Sequence, residues 1–118
     1  MRKVMVVDDD AIMRIRCKQM LAENGFDVAE AANGIEAISV YQDFQPDMVL
    51  MDIIMPDLGG LDALKEIKVI NPNAQVAMLM VEGQQALVME ALKTGAVDFL
   101  IKPFDQEEVL GTIKKALG

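Results

Sequence analysis

The chain has 118 residues, about the size of one ordinary domain. With 53% hydrophobic and 25% charged residues it is expected to fold throughout as one unit, 1–118, rather than divide in two or stay disordered. Eleven Lys and Arg against nineteen Asp and Glu leave a net charge of −8, the wrong sign for displacing counterions from nucleic acid, and no apolar stretch approaches the roughly 20 residues of a membrane span. Histidine is absent, which excludes imidazole catalysis or ligation by this chain, and the single Cys17 excludes an internal disulfide. The opening MRKVMVVDDD meets three acids after too short an apolar run for a signal peptide, so a soluble, cytoplasmic protein is expected.

Short apolar runs alternate with longer segments of helical period, the pattern of βα units around a parallel sheet. The first strand is expected at 3–7. A helix over about 11–24 follows, with Met13, Cys17, Met20 and Leu21 on its inner face and Arg14, Arg16, Lys18 and Glu23 turned outward, and Gly25 ends it. The run at 27–31 is the least apolar and suits a sheet edge. A second helix spans about 35–43 after an Asn33-Gly34 turn. A strand at 47–51 leads to a helix over about 61–70, stopped by Asn71-Pro72. A strand at 75–80 precedes a helix over about 84–94 closed by Gly95. The last strand, 97–101, leads to a final helix opening at Asp105, with Glu108 completing a capping-box pair. Most of the strand runs are nearly continuous in Val, Met, Leu and Ile, as suits strands covered on both faces.

Helices on both faces of such a sheet require one reversal of winding, and ligands gather at the carboxyl ends of the strands beside it. Asp8, Asp9 and Asp10 follow the first strand, Asp52 the third, and Lys102 with Pro103 the fifth. If the first and third strands are neighbours, three carboxylates converge and a lysine approaches along the same edge. Carboxylates that close raise each other's pKa unless a cation neutralises them, so a hard divalent ion is expected. Mg2+ (or Mn2+) suits a site of few carboxylates that leaves positions for phosphate oxygens. Asp10 is open between a metal contact and a cap of the first helix.

These residues carry a resemblance. VMVVDDDAIMR at 4–14, PDMVLMDIIMPDLGGLDAL at 46–64 and ALKTGAVDFLIKPF at 91–104 resemble, in that order and nearly from end to end, the CheY-like receiver domains of response regulators in two-component signalling. The resemblance implies a flavodoxin-like (βα)5 three-layer sandwich with a five-stranded parallel sheet. Its strand order, 2-1-3-4-5, comes with the resemblance, that family being a standard instance of the doubly wound sheet; the residues alone do not dictate it. The resemblance further implies that Asp52 accepts a phosphoryl group from a histidine kinase or a histidine phosphotransfer protein. Asp8, Asp9, Asp52 and the Ile54 carbonyl would organise the metal, and Lys102 would pair with the phosphoryl group. Pro103 would follow a cis peptide bond, and Met55-Pro56 and Gly60 would shape the loop after the acceptor. A carboxylate is a competent nucleophile for an activated phosphoryl group, and metal and lysine supply the charge neutralisation the transfer needs, so the chain would catalyse only its own phosphorylation and dephosphorylation.

One position departs from the family. Receivers normally carry Ser or Thr at the end of the fourth strand, where this chain has Met80, and a thioether cannot donate a hydrogen bond. The only hydroxyls of that type, Ser39, Thr94 and Thr112, fall near no strand end. Phe99 keeps the aromatic switch position of the fifth strand. Phosphorylation is therefore expected to survive while the conformational response is weakened or rerouted. In this family the positions of Ile54 and Glu82 flank the line of a hydrolytic water. An apolar Ile54 offers that water no hydrogen bond, so slow self-dephosphorylation is expected. In the fourth helix, a core stripe through Val88, Ala91 and Leu92 leaves Ala86, Leu87 and Met89 partly exposed. By resemblance, the face of helix four, strand five and helix five is where receivers dimerise or meet targets.

The competing expectation is a pseudo-receiver, an interaction module that keeps the fold and works without phosphorylation; Met80 favours it, and the acids and Lys102 oppose it. A flavin binder of the same fold would need a phosphate-cradling Gly/Ser/Thr loop after the first strand, where Asp8 to Asp10 would repel phosphate. Whether the receiver stands alone or is cut from a longer regulator is open.

Overall fold

The computed structural model describes residues 1–118. Its elements alternate along the chain: β1 (Lys3–Val7), α1 (Ala11–Glu23), β2 (Asp27–Ala31), α2 (Gly34–Phe44), β3 (Met48–Asp52), α3 (Gly60–Ile70), β4 (Val76–Met80), α4 (Gln85–Thr94), β5 (Asp98–Ile101) and α5 (Gln106–Leu117). All strand pairs are parallel, and the order is β2-β1-β3-β4-β5, the expected doubly wound sheet.

Alternation along each strand divides the core in two. Met5, Val7, Val49, Met51, Val76 and Met78 point to the face covered by α2, α3 and α4, where Tyr41, Leu64, Ile67 and Val88 meet them. Val4, Val6, Met48, Leu50, Ala77 and Leu79 point to the opposite face, covered by Cys17 and Leu21 of α1 and Val109 and Ile113 of α5. β1, β3 and β4 are central and apolar on both sides, whereas β2 is a partly exposed edge, as its weak apolarity indicated. The capping box of α5 is present: the Asp105 carboxylate accepts the Glu108 N–H at 2.8 Å, and the Glu108 carboxylate accepts the Asp105 N–H.

Two differences from the sequence reading concern the site. β3 runs one residue farther than expected, so Asp52 is its last residue and takes the strand's rigidity. Asn33-Gly34 is a helix start and no free turn: the Asn33 side chain accepts the Glu36 N–H at 2.9 Å, and Gly34 is the first residue of α2. Gly34 donates its N–H to the Leu58 carbonyl at 3.0 Å, and a Cβ there would overlap that carbonyl. The loop between β3 and α3 is thereby pinned to the start of α2.

Candidate phosphoacceptor and metal site

β1 and β3 are paired with Val7 opposite Met51, so the residues that follow, Asp8 and Asp52, emerge side by side at the carboxyl end of the sheet. One oxygen from each of Asp8, Asp9 and Asp52 lies within 4.8 Å of the others. Asp8 is 1% exposed and Asp52 8%, while Asp9 is open to solvent. Lys102 reaches in from the end of β5, with its ammonium 2.7 Å from Asp8 Oδ2 and 3.3 Å from Asp52 Oδ2. The Lys102 N–H donates to the Met80 carbonyl at 2.7 Å, which fixes where the side chain starts, and the Lys102–Pro103 peptide is cis. The four residues singled out at strand ends are thus brought into one volume, as the phosphoacceptor reading requires and the interaction-module reading does not.

Burial and the neighbouring Asp8 charge push the Asp52 carboxyl up to about 7, against the opposing pull of Lys102. Burial works against the Lys102 ammonium, but its hydrogen bond to Asp8 and the charges of Asp52 and Asp8 outweigh it and hold its pKa above the ordinary value. Three acids, two of them buried, against one lysine leave excess negative charge among clustered oxygens, the donor set of a hard divalent cation. Burial and Asp8 also raise the Cys17 thiol to about 11, which leaves it a protonated core residue.

Asp10 stands apart from the cluster. Its carboxylate accepts the N–H groups of Ile12 and Met13 at 3.0 and 3.3 Å, so it caps α1. Gly60 sits where α3 begins, and a Cβ on it would overlap the Asp52 carbonyl oxygen, so the helix and the acceptor strand approach as closely as only glycine permits. Ile54 and Glu82 are exposed, in the loops after β3 and β4.

Met80 occupies the end of β4, 1% exposed, in the same core cluster as Met55, Met78 and Val88. Its thioether is part of the core. Met80→Thr should therefore cost about 1–3 kcal/mol of stability, from lost apolar volume and a buried hydroxyl, measurable as a lower urea midpoint. An unchanged midpoint would show that Met80 is not packed as described. Phe99 is 40% exposed on β5, so its aromatic ring is surface and no part of the core. Met89 is 55% exposed, whereas Leu87 is half-buried against the α4 side of the core and contributes less to that surface.

Two side chains the sequence did not single out hold loops that follow strand ends. Gln84 folds back so that its Oε1 accepts the Val81 N–H at 2.9 Å, closing the loop between β4 and α4 beside Gly83 at φ +99. Arg14, expected at the surface, turns toward the acidic loop: its guanidinium donates to the Asp8 carbonyl at 2.7 Å and to Glu30 at 3.1 Å.

The response regulator receiver domain family matches residues 4–114. The chemotaxis protein CheY of Bacillus subtilis is 47% identical over 117 residues, covering 98% of each chain. Among solved structures, a response regulator receiver domain protein from Clostridium thermocellum superimposes with a TM-score of 0.95 at 30% identity, covering 99% of this chain and 94% of that one. The CheY of Borrelia burgdorferi, solved as a CheX-CheY-BeF3-Mg2+ complex, superimposes with a TM-score of 0.92 at 32% identity, covering 99% and 90%.

Proposed function

Because the chain belongs to the response regulator receiver domain family of two-component signalling, we propose that Asp52 is its phosphoacceptor and that Asp8, Asp9, Asp52 and the Ile54 carbonyl hold Mg2+ beside it. The single observation that carries this reading is the convergence of the three carboxylates with Lys102 at the end of β1 and β3. The donor would be a phosphohistidine of a sensor kinase or phosphotransfer protein, since the chain has no histidine of its own.

An Asp52 oxygen attacks phosphorus, the O–P bond forms, the P–N bond to the donor imidazole breaks, and the imidazole leaves with its electron pair. When bound, Mg2+ supplies neutralisation of the transferring oxygens and a second anchor for them. Lys102, already 3.3 Å from Asp52, is placed to take one of those oxygens as Asp52 surrenders its charge. Asp8, fully buried, keeps Lys102 protonated and in place. The Borrelia CheY was solved in a complex with Mg2+ and BeF3, an analogue of a phosphoryl group, and this supports Mg2+ and a phosphoryl group as the ligands here. The reaction is the domain's own modification, in keeping with a signalling module.

Incubation with a small acyl phosphate should add one phosphoryl group by intact mass in the presence of Mg2+, and a chelator should abolish it. Uptake that ignores the chelator would remove the metal from the account. The Asp52 value of about 7 adds a pH signature, because a proton competes with the cation for that carboxylate. Calorimetric Mg2+ affinity should be about tenfold weaker at pH 6 than at pH 8, and a flat profile would place the binding elsewhere.

Exposed, apolar Ile54 supports slow loss of the phosphoryl group, because it offers an attacking water no hydrogen bond. Ile54→Asn should speed the decay severalfold, and unchanged decay would remove Ile54 from the account. Buried Met80 supports a response to phosphorylation that is damped relative to a hydroxyl at that place. Exposed Met89 and Phe99 support an output surface on α4, β5 and α5 for a protein target or a second copy.

A further inference from the structure

Asp9 is the least constrained of the three acids. Asp8 is held at every polar atom: its N–H donates to Ala31 at 3.1 Å, its Oδ1 accepts the Asp10 N–H at 2.9 Å, its Oδ2 accepts Lys102 at 2.7 Å, and its carbonyl accepts Arg14 Nη1 at 2.7 Å. Asp52 is the end of a central strand. Asp9 is exposed; its carboxylate lies against that of Asp52, and its backbone is joined to Asp8 through the peptide whose carbonyl Arg14 grips.

The grip is itself braced. Arg14 Nε donates to Glu30 Oε1 at 3.1 Å, and Lys18, one turn along α1, reaches the other Glu30 oxygen at 3.3 Å. Glu30 lies on β2 opposite Val6, so the brace ties the first turns of α1 to the sheet directly beneath the acidic loop. A guanidinium suits the task, because its fixed fork serves a carbonyl and a carboxylate at once.

We propose that Arg14, braced by Glu30, is a positioning residue for the metal site: by fixing the Asp8–Asp9 peptide plane it presents the Asp9 carboxylate to the cation in advance of binding. Without the brace, ordering that peptide would fall on the binding step, and outer supports of this kind typically weigh about tenfold or more in metal affinity.

The sign of the effect separates this role from the alternatives. Arg14 is a cation beside a negative cluster, so through charge alone its removal would tighten Mg2+ binding. A purely structural role would lower the melting temperature and leave the affinity of the folded chain unchanged. Positioning requires weaker binding despite the more negative site.

The experiment is calorimetric titration of Mg2+ into the full chain, its Arg14→Ala and Arg14→Lys variants, and Glu30→Ala/Arg14→Ala together, each checked for folding by circular dichroism. Arg14→Ala should bind about tenfold more weakly. Arg14→Lys should also bind more weakly than the parent although its charge is kept, and the double variant should be no worse than Arg14→Ala, since the two side chains act as one unit. Should Arg14→Ala fail to fold, Arg14→Lys carries the same comparison. Affinity equal to or above the parent in the folded variants would overturn the proposal. It rests on the metal site proposed above, and the two fail separately: a parent chain that binds no Mg2+ sinks the metal site, whereas a parent that binds and an Arg14→Ala variant that matches it sinks only the brace.

Discussion

An Asp52→Asn chain should take up no phosphoryl group from an acyl phosphate, and in the absence of divalent cations it should be more stable than the parent at pH 8. The first half follows from removing the nucleophile. The second follows from the position of Asp52, whose carboxyl is raised from 3.8 to about 7 by burial and by Asp8. A carboxyl with a higher pKa in the folded chain than in the unfolded one holds its proton more tightly when folded. Stability therefore falls as pH rises from about 4 to about 7, and the full penalty is present above that. Asparagine removes the penalty but also loses the Lys102 contact at 3.3 Å. With that loss and solvent screening, the gain at pH 8 should be on the order of 1–2 kcal/mol, several degrees in melting temperature, and should shrink toward zero near pH 4. A variant less stable than the parent at pH 8 would mean that Asp52 is not electrostatically strained. The loss of uptake with a gain in stability marks a residue kept for its chemistry at the fold's expense.

The second large effect is expected at Gly60. A methyl group there would overlap the Asp52 carbonyl oxygen and crowd the Ile53 Cα, 2.8 Å away, both parts of the backbone that cannot rotate aside. Either α3 lifts off the sheet, uncovering Ala63, Leu64 and Ile67, or the acceptor strand shifts. Gly60→Ala should cost about 3 kcal/mol of stability and lose most phosphoryl uptake in whatever fraction still folds. Gly111 provides the opposite case. It lies inside α5 with nothing within 4 Å of the would-be Cβ, so Gly111→Ala should stabilise by about 0.5–1 kcal/mol and leave uptake unchanged. Urea melts of the two variants beside the parent check both signs at once, and equal small effects would show that Gly60 has room to spare.

What the sequence made legible was whatever is local or periodic. The apolar runs located the strands to within a residue, most clearly the central ones, because central parallel strands must be apolar on both sides. Asp105 with Glu108 marked the last helix because a capping box spans only four residues. The acids and Lys102 were legible as a site because they share one structural position, the end of a strand, although the strand order that joins them came from the family. The illegible features depend on partners far along the chain. Arg14 looked like a surface charge because Glu30, which draws it inward, is 16 residues away on the neighbouring strand. Gly34 looked like half of a turn because the Leu58 carbonyl that demands glycine belongs to another loop. Asp57, at φ +66, adopts a left-handed backbone that its identity only faintly favours. Phe99 was legible as an aromatic position but not as surface, because its exposure depends on the edge position of β5.

The central claim is that one carboxylate among the clustered acids carries the phosphoryl group, and borohydride reduction tests it most directly. The treatment converts an aspartyl phosphate to homoserine and leaves free carboxylates untouched. After incubation with an acyl phosphate and Mg2+, peptide mapping should find homoserine at position 52 alone, and none when Mg2+ is withheld. Homoserine at position 8 or 9, or a treated chain with none, would contradict the account.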